Sequence, residues 1–226
     1  MLKSKGIITN LQRESLLSFS SIADSQYFYL TGGTALAEFY MGHRLSYDLD
    51  LFTTEKGLVV PFSRIMEQRY RDMGFSINVV RRFQTFVEFE LNKETEKTVV
   101  QLAYDSPFRF EEPVDSDLGV KINDYKDIIV DKTLTFFGRA EPRDAVDLFF
   151  ILRHENFWQL TELASKKDPG FDLYWMAVAL GKLSRFPDNI TKWPVQMLVE
   201  INVREMKDIF LNFAREIMDK INKDKK

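Results

Sequence analysis

Asp48 and Asp50 lie two positions apart in "YDLDLF", an otherwise apolar run whose alternation reads as a β-strand. Alternate strand residues share a face, so the two carboxylates project together, with their α-carbons about 6.5–7 Å apart. Tyr47, Leu49 and Leu51 fall on the opposite face and are expected in the core. Two like charges so placed repel, and partial burial raises that cost. Either the face is open to solvent or a divalent cation removes the conflict. Mg²⁺ suits such a pair, because it takes oxygen ligands and is commonly held by one or two carboxylates together with phosphates.

A glycine pair stands just upstream. Gly32 and Gly33 follow the β-prone "YFYL" and precede "TALAEFYMG", which reads as a helix ending at Gly42. Glycine lets a backbone approach a ligand closely, and a helix N-terminus offers N–H groups to an anion. A tight turn would also account for the pair. Thr34 either adds a hydroxyl to such a site or caps the helix. Arg44 is placed to contact phosphate or to pair with Asp48, whereas His43, after the glycine turn, reads as a loop residue.

The third group lies in "DKTLTFFGRAEPRDAVDLFFIL", residues 131–152. At about 100° per residue, Ala145, Val146, Leu148, Phe149, Phe150 and Leu152 cover most of the second helix. Arg143, Asp144 and Asp147 occupy the narrow polar sector that remains, expected to face a cleft. An i,i+4 ion pair between Arg143 and Asp147, with Asp144 near the favourable end of the helix dipole, is the structural alternative. Lys132 and Arg139 share one face of the preceding helix and can both reach phosphates.

The elements that must position these groups divide the chain. A helix over residues 11–23, the strand-glycine-helix-strand segment and a helix over 62–74 come first. The runs "FSINVV", "TFVEFELN" and "KTVVQLAY" then read as strands, the last two joined by a polar hairpin turn around Asn92, Lys93, Glu94 and Thr95. Arg81 and Arg82 read as a solvated turn, and Phe108, Phe110, Phe136 and Phe137 as core. Helical patterns fill the later chain, including residues 195–222, before the charged tail "DKINKDKK" that reads as solvated and frayed. The expected organisation is an α+β domain over 1–118 and an all-helical domain over 119–226.

Composition sets limits. With 45% hydrophobic and 29% charged residues the chain can build a real core. A net charge of −3 makes the whole chain no electrostatic magnet for nucleic acid. The absence of cysteine excludes disulfides and thiolate metal sites. No apolar leader and no membrane-length run is visible, so a cytoplasmic protein without membrane contact is expected.

Taken together, Gly32-Gly33-Thr34, His43-Arg44, Ser46, Asp48, Asp50, Lys132, Arg139 and the Arg143-Asp144-x-x-Asp147-Leu148 run resemble the nucleotidyltransferase-like AbiEii/AbiGii toxin family. The resemblance spans roughly residues 25–155. It implies a minimal nucleotidyltransferase-type mixed sheet with flanking helices, followed by an all-helical C-terminal domain. It further implies Mg²⁺-dependent transfer of a nucleotide from an NTP, with pyrophosphate leaving, to an acceptor such as tRNA or a protein. A toxin of this kind is paired with an antitoxin. Carried over by position, Gly32, Gly33 and Thr34 would hold the triphosphate, and Asp48 and Asp50 the metal. Arg44, Ser46, Lys132 and Arg139 would belong to the nucleotide site. Asp147, supported by Arg143 and Asp144, would complete the catalytic set between the domains. The pattern departs at Gln101, where many nucleotidyltransferases place a third carboxylate to activate the attacking hydroxyl or hold a second metal. Asp105 lies past the expected strand end. The departure leaves two function classes: an active transferase, or a catalytically inactive nucleotide-binding or scaffold protein of the same fold.

Overall fold

The computed structural model describes residues 1–224. Helix α1 (Asn10–Ser20) opens at a reciprocal cap, in which Thr9 and Gln12 satisfy each other's backbone N–H groups. Strand β1 (Phe28–Thr31) follows, then α2 (Gly32–Ala35), which widens at once into a π-helical turn over Leu36–Met41. Gly42, in the left-handed conformation, closes that turn through its N–H on Ala37 O at 2.8 Å. Next come β2 (Asp48–Thr53), α3 (Val59–Asp72), β3 (Ser76–Phe83), β4 (Phe86–Lys93) and β5 (Glu96–Tyr104). Two short strands, β6 (Val114–Asp115) and β7 (Lys121–Ile122), complete one mixed seven-stranded sheet in the order β3-β4-β5-β2-β1-β7-β6. At two residues each, β6 and β7 are too short for alternation to reveal.

The sheet has two unlike faces. Phe28, Leu30, Leu49, Leu51, Val87, Phe89, Val100 and Leu102 are fully buried on one of them. Leu16 and Phe19 of α1 and Phe62, Met66 and Tyr70 of α3 join this core. The Phe28 ring meets Phe62 at 4.4 Å and Phe19 at 5.9 Å between centroids, contacts worth about 0.5–1.5 kcal/mol each beyond area burial. Between the core residues of β2, β4 and β5 stand half-buried, mostly polar residues of the other face.

The chain divides into two compact units, Met1–Ile128 and the chain from Ile129 onward. The division falls within α4 (Tyr125–Arg139), which is followed by α5 (Pro142–Ile151), α6 (Phe157–Lys167), α7 (Leu173–Gly181) and α8 (Val203–Asp224). The second unit is helical. Phe136 packs on Phe210 at 5.6 Å, and Phe157 stacks on Phe213 at 4.2 Å.

Several expectations change. Arg81 and Arg82 belong to β3, beside a bulge between Val79 and Arg81, and Arg82 pairs with Glu67 of α3. Tyr47 lies outside β2 and is exposed, as is Phe108. Residues 195–202 are not helical, because Asn202 starts α8 by accepting the N–H groups of Arg204 and Glu205. The charged tail through Asp224 continues α8, and Lys225 and Lys226 lie outside the described residues. No described helix is long and apolar enough to cross a membrane.

Candidate active site

The first unit gathers the glycine pair and the aspartates through strand pairing. Thr31, the last residue of β1, is the partner of Asp50 across the β1/β2 ladder. Gly32 comes next with φ at +71°, a conformation that an L side chain resists. A Cβ there would overlap Asp50 Oδ2 and stand 2.9 Å from Asp50 Cγ. The Asp50 carboxylate therefore rests directly against the Gly32 backbone. On Gly33 a Cβ would stand 2.7 Å from Arg44 Nη2 and 2.8 Å from Ser46 Oγ. The glycine pair is the floor on which Asp50, Arg44 and Ser46 converge.

The loop between Gly42 and β2 is built to return over that floor. Arg44 is buried, and its Nη1 donates to Leu45 O at 2.9 Å. Gln12, wholly buried on α1, donates to Ser46 O at 2.9 Å. The Thr34 hydroxyl donates to Asp48 O, tying the helix start to the beginning of β2. Thr34 is buried in doing so. His43 is buried too. Asp48 and Asp50 are both half-buried, in line with their shared face. Their electrostatic problem is thus real: these are not carboxylates in bulk water, and a cation or a guanidinium nearby lowers the cost.

Pairing extends this face sideways. Asp50 is opposite Gln101 in the parallel β2/β5 ladder, and Gln101 is opposite Glu88 in the antiparallel β4/β5 ladder. Glu88 in turn is opposite Arg81 on β3. Thr31, Asp50, Gln101, Glu88 and Arg81 therefore form one polar row across five strands. Gln101 Nε2 donates to Glu88 Oε2 at 3.0 Å. At the other end, Asn123 Nδ2 donates to Thr31 Oγ1 at 3.1 Å. Asp105, past the end of β5, accepts from the Tyr29 hydroxyl.

The second unit holds the remaining candidates in two groups. Lys132 Nζ pairs with Asp147 Oδ2 at 2.8 Å, with the Asp147 side chain wholly buried. Arg139 grips Asp144 with two parallel bonds, Nε to Oδ2 at 2.7 Å and Nη2 to Oδ1 at 2.8 Å. Asp144 also takes the Glu141 N–H in the cap of α5. Arg143 Nε lies 3.3 Å from Glu141 Oε2. Asp144 thus has a structural task at the helix start, while Asp147 orients a lysine ammonium.

Sequence patterns missed Gln12, Glu88 and Asn123, which reach the site region through pairing and long-range hydrogen bonds. Gln12 leaves a partial signal, the capping pair with Thr9. Glu88 sits in a plain alternating strand and leaves none. Among the described residues, no three or more histidine, aspartate or glutamate side chains are grouped to hold a metal ion.

A family profile described as nucleotidyl transferase AbiEii toxin, type IV toxin–antitoxin system, matches residues 15–99, which include the glycine pair and both aspartates. An uncharacterized protein of Aquifex aeolicus is 31% identical over 161 residues, covering 67% of this chain and 70% of that one. Among solved structures, JHP933 from Helicobacter pylori has a TM-score of 0.61 at 19% identity, with 96% of each chain covered. MenT4, a nucleotidyltransferase toxin of Mycobacterium tuberculosis, has a TM-score of 0.59 at 14% identity, covering 92% of this chain and 82% of that one. At such identities the two solved structures establish a shared fold.

Proposed function

The chain belongs to the AbiEii nucleotidyl transferase toxin family, and from that premise we propose that it transfers a nucleotide from an NTP to an acceptor using Mg²⁺ at Asp48 and Asp50. The observation that carries this reading is the contact between Gly32 and Asp50. A left-handed glycine with no room for a Cβ sets the Asp50 carboxylate directly against half-buried backbone. That is the arrangement a phosphate-bound cation needs, because backbone N–H groups and a metal-binding oxygen must serve one ligand.

The residues fit the metal. Both donors are carboxylate oxygens on one strand face, and Mg²⁺ of this kind completes its shell with water and substrate phosphates rather than with a protein cage. Mg²⁺ bound there would neutralise phosphate charge and ease attack at the α-phosphorus. Gly32 and Gly33 would receive the triphosphate by backbone approach. Arg44 and Ser46, which meet Gly33, would contact its oxygens. Thr34 would act by fixing the helix start to β2. Lys132 would supply a phosphate contact, with its ammonium aimed by Asp147. Arg139, Arg143 and Asp144 would hold the start of α5 in place. The family name implies an antitoxin as partner; the acceptor in this proposal is RNA or a protein.

Incubation of the purified protein with labelled NTPs, Mg²⁺ and total RNA tests the reading. We expect label on RNA or protein, lost by about 10²-fold or more in Asp48→Asn with folding preserved. Measurable Mg·NTP binding with no label transferred would leave the nucleotide-binding module as the account, the reading that Gln101 favours. Unfolding of Asp48→Asn would make Asp48 a structural residue.

A further inference from the structure

We propose that Glu88 is the proton acceptor for the attacking hydroxyl, and that Gln101 positions it. The inference rests on the transferase reading above and adds a residue to it. Attack on a phosphoryl group by a hydroxyl is faster when a carboxylate takes the proton as the new bond forms. The sheet face that carries Asp48 and Asp50 holds further carboxylates, and their partners separate them. Glu90, opposite Val99, is bound by Lys97 Nζ at 2.8 Å, and that lysine holds its carboxyl below the usual range. It is a poor proton acceptor. In the second unit Asp147 is engaged by Lys132 and Asp144 by Arg139.

Glu88 is situated differently. Its close donor is the neutral amide of Gln101 at 3.0 Å, while the Arg81 guanidinium stands off at 3.8 Å. An amide fixes the direction of the carboxylate without neutralising it. The side chain is largely but not wholly covered, with 16% of it exposed. Register puts Glu88 in the same cross-strand row as Asp50, with Gln101 between them. Two strand spacings separate their α-carbons by roughly 10 Å. Asp50 and Glu88 flank Gln101 in this row, so an acceptor hydroxyl held over the Gln101 side chain would lie between the two carboxylates. The amide that replaces a carboxylate at position 101 thus serves the carboxylate one strand farther out.

The step balances. The acceptor hydroxyl oxygen bonds to the α-phosphorus of the NTP. The bond from that phosphorus to the oxygen bridging it to the β-phosphate breaks, and pyrophosphate leaves with its electron pair. The hydroxyl proton passes to the Glu88 carboxylate and then to solvent.

Steady-state transfer assays with wild type, Asp48→Asn, Glu88→Ala, Glu88→Gln and Gln101→Leu test this. Glu88→Ala is expected to lower kcat by about 10²–10⁴-fold with KM for the NTP unchanged. Added formate, small enough for the vacated space, should restore at least part of the Glu88→Ala rate and none of the Asp48→Asn rate. Wild-type kcat in a folded Glu88→Ala, or a loss that formate does not relieve, overturns the proposal. If Glu88→Ala does not fold, the near-isosteric Glu88→Gln decides, with wild-type kcat overturning it. Gln101→Leu should lower kcat alone and add nothing further in combination with Glu88→Ala, because it acts through that carboxylate. Additive losses overturn the positioning role. Transfer that needs Asp48 but not Glu88 removes this inference alone, whereas a wild type that transfers nothing removes the reading beneath it.

Discussion

At Gly32 two constraints meet in one residue. Its φ of +71° already disfavours a side chain, and the space a Cβ would fill is held by the Asp50 carboxylate. A left-handed backbone costs a non-glycine residue roughly 1–2 kcal/mol, before any displacement of Asp50 is counted. Gly32→Ala is therefore expected to lose about 2 kcal/mol or more of stability, read by urea unfolding. It should lose transfer activity more completely than stability, because Asp50 must move. An alanine variant with wild-type kcat would show that Asp50 does not act from this position. Gly33 is a milder case. The atoms its Cβ would meet are the ends of Arg44 and Ser46, which can yield.

At the scale of elements, the π-helical turn after α2 explains how the amino-terminal segment is held. Glu38 lies in that turn and is wholly buried. Its carboxylate accepts the N–H of Gly6 at 2.7 Å, of Ile7 at 2.8 Å and of Ile8 at 3.1 Å. These three donors satisfy a charge that would otherwise be prohibitive to bury. Glu38→Ala strands them, and we expect a loss of about 2–3 kcal/mol, since some of the N–H groups can recover water. Hydrogen exchange should quicken at Gly6, Ile7 and Ile8 well before it does in β2. Unchanged exchange there would mean the segment is held by other contacts. The same element scale shows why α5 is so well defined: Pro142 opens it, and Asp144 joins the cap while holding Arg139.

For the whole molecule, ligand binding should be visible as stability. A ligand that binds the folded chain at a hundredfold its Kd adds about 2.7 kcal/mol. For a chain of this size that corresponds to roughly 5–10 °C in Tm. Mg²⁺ and an NTP together are expected to raise Tm by such an amount, and neither Asp48→Asn nor Asp50→Asn should respond. An equal shift in both variants would place the nucleotide elsewhere. Because the chain has a net charge of only −3, this binding must come from local groups rather than from the overall field.

Whatever depends on local periodicity is legible in the order of residues alone. The two-residue spacing put Asp48 and Asp50 on one strand face, and glycine chemistry marked the turn at Gly32. The apolar wrap of residues 145–152 announced a buried helix. Tertiary structure decided partners. Seven-residue spacing suggested that Lys132 and Arg139 act alike, yet one pairs with Asp147 and the other with Asp144. Spacing within β4 marks Glu88 as a strand residue and nothing more. Only the β4/β5 and β2/β5 registers put it in line with Gln101 and Asp50. The physical reason is that side-chain direction follows from the chain's own geometry, whereas register is selected by burial of Val87, Phe89, Val100 and Leu102 against distant helices.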